Sequence, residues 1–243
     1  MIENIAKQAW NKYFGDDMDF LNKYFCTYYN AHNLIINLGK NNEFIYMGLI
    51  VRYYYKYYNE TIPIGYVTAV LTNPKYRNQG YFRKAMQEIF DRLNNQEYII
   101  SFLIPASEEL SITYQRYGYS KCFIDEQELN KNKSIIHEQK TINLYKELNY
   151  DISQLKPNTI GLLRIIDVEK ALKLYAKNFP TEEKTYKITD NQIKENNKLI
   201  EIKEGNIKII ENVDEFEDIE EIEISKLSYL IFKNSYMDLM FDK

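Results

Sequence analysis

Glycine and proline are scarce in this chain, with 8 and 5 among 243 residues. Average glycine usage of about 7% gives roughly twice as many, so few positions are available for chain breaks or left-handed backbone. Only two cysteines occur, Cys26 and Cys122. They lie far apart and outside any metal-type spacing, which points to two free thiols in a reducing cytoplasm rather than a disulfide framework. The two histidines, His32 and His137, have no second ligand at helical spacing, so a zinc site is not expected. No run of 18 apolar residues is present, so no spanning helix and no membrane partner are expected. The first ten residues, MIENIAKQAW, lack the apolar block of a signal peptide. Glycine fingerprints of mononucleotide and dinucleotide sites, G-x-x-x-x-G-K-[ST] and G-x-G-x-x-G, are absent.

What is plentiful is apolar and aromatic. The chain is 45% hydrophobic and 15% aromatic, with 23 tyrosines. That is ample for one large core or two small ones and argues against disorder. A formal net charge of −4 speaks against general nucleic-acid binding. The Tyr53–Tyr58 run (YYYKYY) could stack single-stranded bases, but its cationic neighbours are only Arg52 and Lys56, so it reads as an aromatic strand.

Periodicity predicts helices over residues 3–30, split near Gly15-Asp16-Asp17, then strands over 33–38, 44–57 and 62–71. A helix follows from about Tyr81, with Phe82, Met86, Ile89, Phe90 and Leu93 on one face. Residues 98–104 (YIISFLI) suit a buried strand, and 107–117 a short helix closed by Gly118. Two weaker strands are expected in 119–148, with Thr141–Leu148 the better. The polar stretch 149–159 reads as a linker. Beyond it come a strand at 161–166, a helix at 168–179 capped by Asp167, and strands near 184–188, 198–203 and 207–211. The acidic run 214–223 reads as a solvated edge or loop. A helix over 225–233 takes Ser225 as its cap. The tail YMDLMFDK is apolar enough to be docked rather than frayed.

The stretch that carries chemistry is Ile64–Tyr119. A strand ends before Pro74, a loop holds Arg77-Asn78-Gln79-Gly80, and an amphipathic helix begins. Unpaired N–H groups and the positive dipole end of a helix attract anions. A glycine lets a phosphate approach the backbone, and Arg77 and Arg83 flank the turn. The first helical turn holds no acid that would compete.

The segment Val70–Met86 (VLTNPKYRNQGYFRKAM) resembles the acetyl-CoA signature of the GNAT superfamily of N-acetyltransferases. Leu103–Tyr119, with ITYQRYGY, is similar to the motif after the fifth strand in the "enhanced intracellular survival" branch. Gly161–Leu172 and Ile224–Phe232 resemble that branch's sterol-carrier-protein-like domain. The resemblance implies a mixed, mostly antiparallel GNAT sheet flanked by helices (α+β or α/β) over residues 1–150, then a small sterol-carrier-like α+β domain over 151–243. The second GNAT-like domain of longer members has no room here. The residue two after Gly80, small in many GNAT enzymes, is Phe82.

The resemblance further implies roles. Backbone groups of Val70, Leu71 and Thr72 would hold the pantetheine arm of acetyl-CoA as an added strand. Those from Asn78 through Gln79, Gly80, Tyr81 and Phe82 to Arg83 would hold its pyrophosphate. Tyr114 matches the tyrosine that protonates the departing thiolate, and a phenol of pKa about 10 suits that task. The C-terminal carboxylate, here on Lys243, would act as base, with Glu108 as a rival. No metal is implied. The expected reaction is direct acetyl transfer to a small-molecule or peptide amine. The alternative is a non-catalytic module that senses acyl-CoA or carries an apolar ligand. A homo-oligomer is compatible with either.

Overall fold

The computed structural model describes residues 1–125, 132–211 and 218–239. Two helices open the chain, α1 (Ile2–Phe14) and α2 (Met18–Tyr28). Gly15, at φ 86°, ends α1 with its N–H on Asn11 O, and Asp17 caps α2 by accepting from Phe20 N–H. The split at Gly15-Asp16-Asp17 is therefore a left-handed stop followed by an acidic cap.

The first sheet contains β1 (Leu34–Leu38), β2 (Phe44–Tyr57), β3 (Glu60–Thr72), β4 (Ile100–Leu103), β5 (Ser120–Lys121), β6 (Lys133–Ile136) and β7 (Leu162–Ile165). Its order is β1-β2-β3-β4-β7-β5, with β6 pairing β2 farther along. All pairs are antiparallel except β3–β4. Helix α3 (Tyr81–Asn95) packs Met86, Ile89, Phe90 and Leu93 onto one face, with α4 (Glu108–Gln115) beside it. Helices α1 and α2 cover the other face through Trp10, Leu21, Tyr24 and Phe25. All but the last residue of the YYYKYY run belong to β2, with Tyr53, Tyr55 and Tyr57 fully buried.

The second sheet has the order β10-β9-β8-β11, built from β8 (Lys184–Thr189), β9 (Leu199–Lys203), β10 (Asn206–Ile210) and β11 (Ile219–Glu223). Helices α6 (Val168–Asn178) and α7 (Ile224–Phe232) join it to the first. Within the described part of the acidic run, Ile219–Glu223 form an edge strand parallel to β8 with its glutamates exposed.

Three features depart from the expectations. Thr141–Leu148 is not a strand but most of helix α5 (Gln139–Glu147). Thr141, Leu144 and Tyr145 are buried at three- and four-residue steps, and this helical spacing overrides the β-branched content of the segment. Ser225 is not a cap, since α7 begins one residue earlier behind Glu223 and has no side-chain cap bond. Most consequentially, β7, from beyond residue 150, lies between β4 and β5. All four of its residues are buried, so it needs a partner on both edges. The division at residue 150 thus separates segments of sequence and not sheets.

A buried ion pair seals this crossing. Arg164 on β7 donates to Asp190 Oδ2 at 2.6 Å, with both side chains fully buried. Arg164 also bonds Tyr117 O and lies over the Phe90 ring at 4.5 Å. Gly118, at φ 86°, passes so close that a Cβ there would sit 1.9 Å from Arg164 Nη1. The tail is docked as well. Ser235 and Tyr236 bridge Phe123 and Ser134, so the tail joins β6 to Phe123, two residues beyond β5. Ser235 Oγ meets Tyr55 OH at 2.5 Å, Asp238 meets His137 at 2.8 Å, and Met237 and Leu239 are buried. Cys26 is exposed and Cys122 buried, both unpaired. Among the described residues, no helix is long and apolar enough to cross a membrane.

Candidate active site

The site begins with a defect in the sheet. On β2, Met47 and Leu49 oppose Leu71 and Thr68 of β3, so Gly48 alone faces both Ala69 and Val70. This is a two-against-one bulge. Ala69 carries it at φ 52°, an uncommon conformation for a residue with a Cβ. Just before the bulge, β3 and β4 pair over only Ile64–Tyr66 and Ile100–Phe102. Beyond that, β3 runs on to Thr72 while β4 ends at Leu103, two residues before Pro105. The backbone of Val70, Leu71 and Thr72 therefore borders a gap between two diverging parallel strands. The Thr72 hydroxyl oxygen is buried there with no hydrogen-bond partner among the described residues.

The loop leaving β3 has a pinned half and a free half. Asn73 Nδ2 donates to Phe44 O at 2.9 Å, its N–H bonds Ile45 O, and its Oδ1 caps the short turn Pro74–Tyr76. Glu43 accepts from Lys75 at 2.8 Å and from Tyr76 at 3.0 Å. From Asn78 (φ 60°) to Arg83 the pattern reverses. Among the described residues, none of these six N–H groups donates a hydrogen bond, and the first helical bond is Lys84 N–H to Gly80 O. Gly80, at φ 79°, caps α3 without a side chain, and a Cβ there would meet nothing within 4 Å. Arg77, Gln79 and Arg83 are exposed around this turn, and α3 has no acid in its first turn. The result is a row of donors at the positive end of a 15-residue helix, open on one side.

Tyr114 reaches this region from α4. Its ring is 5.8 Å from Phe82 and 6.1 Å from Tyr119. It is 6% exposed, and burial pushes its hydroxyl well above the ordinary phenol pKa. The phenol is therefore protonated at neutral pH. Tyr119 is fully buried with its hydroxyl 2.8 Å from Ser101 Oγ, and Tyr117 packs on Phe82 and Phe90.

Glu108 starts the same helix but on a different face, six residues from Tyr114. Its carboxylate is exposed and held by Lys121 at 3.0 Å. Lys243 lies outside the described residues. The structure thus brings Val70–Thr72, the 77–83 turn and Tyr114 to one region and leaves Glu108 on the surface. What the sequence did not reveal is the bulge at Ala69, since the bulged strand itself has no glycine or proline at that point.

Residues 4–122, just under half of the chain, match the family profile of the acetyltransferase (GNAT) domain. No curated protein matches the chain by sequence at a significant level. Among solved structures, the fold is similar to Eis1 from Mycobacterium abscessus, with TM-score 0.72 and 9% identity over 93% of this chain and 86% of that one. A probable N-acyltransferase from Enterococcus faecalis V583 gives TM-score 0.69 at 13% identity over the same shares. A GCN5-related N-acetyltransferase from Kribbella flavida gives 0.62 at 12%, again over 93% and 86%. At such identities the likeness is one of fold, and it spans both sheets. Residues 4–122 are thus similar in sequence to the acetyltransferase (GNAT) domain, and the fold is similar to that of these structures.

Proposed function

We propose that this protein is an acetyl-CoA-dependent N-acetyltransferase that passes the acetyl group directly to a primary amine in a ternary complex. The observation that carries the reading is the pairing of two unsatisfied surfaces. One is the strand gap beside Val70–Thr72, and the other is the donor row from Asn78 to Arg83. A pantetheine amide chain can complete the first as an added strand, and a pyrophosphate can complete the second. The open space over Gly80 and the orphan Thr72 hydroxyl fit such a ligand.

In the reaction, the acceptor nitrogen attacks the thioester carbonyl carbon and the C–S bond breaks. Tyr114 donates its hydroxyl proton to the departing sulfur, which burial favours by keeping the phenol protonated. The amine must lose a proton first. The proposed base is the Lys243 carboxylate. Glu108 is the rival, and it would have to leave Lys121. No cysteine lies in the motif segments, so an acyl-enzyme is not invoked. Residues 151–243 are proposed to be the sterol-carrier-like part of the enhanced intracellular survival branch, with β8–β11 as its sheet.

Isothermal titration with acetyl-CoA tests the reading, and a chain that binds none under any buffer condition would end it. Adding three residues after Lys243 tests the base. Acetyl transfer should fall at least about tenfold while acetyl-CoA affinity holds, and an unchanged rate would return the role to Glu108.

A further inference from the structure

The outer edge of β2 is covered in two pieces, by β1 over Phe44–Leu49 and by β6 over Tyr54–Tyr57. Between them, Ile50 N–H bonds Asn33 O at 2.9 Å, and among the described residues no strand pairs Arg52 on this edge, β3 pairing it on the other. A cleft of about 770 Å³ opens at this gap. Its walls come from the end of α2, the last turn of α3 and the start of α5. Arg52, Arg92, Lys140 and His32 line it, and among the described residues no carboxylate does.

In a chain of net charge −4, cations gathered without acids need a reason. Lys140 has a partner outside the lining, Glu138 at 2.9 Å. The two guanidiniums have no carboxylate partner among the described residues. Arg52 Nε reaches Tyr98 OH at 3.4 Å, and its guanidinium lies 5.5 Å over that ring. Arg92 donates to His32 O, which also accepts from Gln96 at 3.0 Å. Neutral groups thus hold both forks in place while their charge stays uncompensated. Arg92 also complements the C-terminal end of α3, but Arg52, on a strand, has no such role.

We propose that this cleft binds a small polyanion, a molecule presenting two or more carboxylate or phosphate groups to Arg52 and Arg92. Paired forks suit planar or tetrahedral oxyanions, and the volume is that of a small-molecule site. Lys140 adds a third charge and the Asn95 amide lies at the wall. The site is distinct from the donor row at Gly80, which sits at the other end of α3, about 22 Å away along the helix.

Amide NMR titrations of the full chain with citrate and with pyrophosphate test this. Saturable shifts are expected at 30–33, 50–52 and 92–98, and the tighter of the two anions identifies the preferred group. The double variant Arg52→Ala/Arg92→Ala should weaken that binding at least about tenfold. If the double variant does not fold, Arg52→Lys/Arg92→Lys keeps the charge and should still weaken binding by loss of the forks. Shifts confined to 78–83, no saturable shift at millimolar anion, or unchanged affinity in either pair would overturn the proposal.

Discussion

Helices α3 and α6 both follow a strand and a loop, yet their starts are opposites. At α6, Asp167 accepts from Lys170 N–H, Asn196 Oδ1 accepts from Val168 N–H, and Glu169 sits in the first turn. At α3, Gly80 contributes no side chain, the first turn has no acid, and six N–H groups in a row lack partners among the described residues. One helix start is closed by its own protein and the other is left for something else. A capping side chain contributes about 1 kcal/mol, so an uncapped start forgoes stability. The same contrast separates the Arg164–Asp190 seam, where both terminal nitrogens of Arg164 are engaged, from the strand gap at Thr72.

Breaking the closed side should have the largest effect. Asp190→Ala strands the buried Arg164 charge and also removes acceptors for Gln192, Ile193 and Asn196. Loss of one partner of a buried pair costs about 3–5 kcal/mol, and chemical denaturation should show it. A loss below about 1 kcal/mol would mean the seam is not sealed as described.

On the open side, Tyr114→Phe keeps the ring packing against Phe82 and Tyr119. It should lower the acetyl-transfer rate by about 10- to 1,000-fold at unchanged acetyl-CoA affinity, and an unaltered rate would remove Tyr114 from the mechanism. The wild-type rate should show no Tyr114-dependent fall below pH 10, because burial raises this phenol above its ordinary value.

The smallest effect sharpens the contrast most. Arg83→Glu makes the start of α3 resemble that of α6. The acid should stabilise the helix by about 0.3–1 kcal/mol, while acetyl-CoA affinity falls about tenfold. Stability and affinity moving the same way would contradict the account of an intentionally open start.

Much of the first sheet was legible because its elements are local. The face Phe82–Met86–Ile89–Phe90–Leu93 and the stop at Gly15 are spacing and backbone chemistry that neighbours in sequence decide. The turn Arg77–Gly80 was legible for the same reason. Thr141–Leu148 misled because a short segment with β-branched residues also fits helical spacing, and packing of α5 against the rest of the protein decided between them. Tyr114 could be singled out by its motif, but from spacing alone it is one of 23 tyrosines. Its burial and its contact with Phe82 come from the meeting of α3 and α4.

By itself, the sequence determined which segments are amphipathic, where the chain turns, and that one helix would start without an acid or a side-chain cap. Those properties depend on residues within a few positions of one another. Only the tertiary structure decided that β7 enters the first sheet, that the tail links Phe123 to β6, and that β3 and β4 part at a bulge carried by an ordinary alanine. Each of these is a pairing between distant segments, chosen by which buried strand edges remain to be satisfied once the rest of the chain has packed.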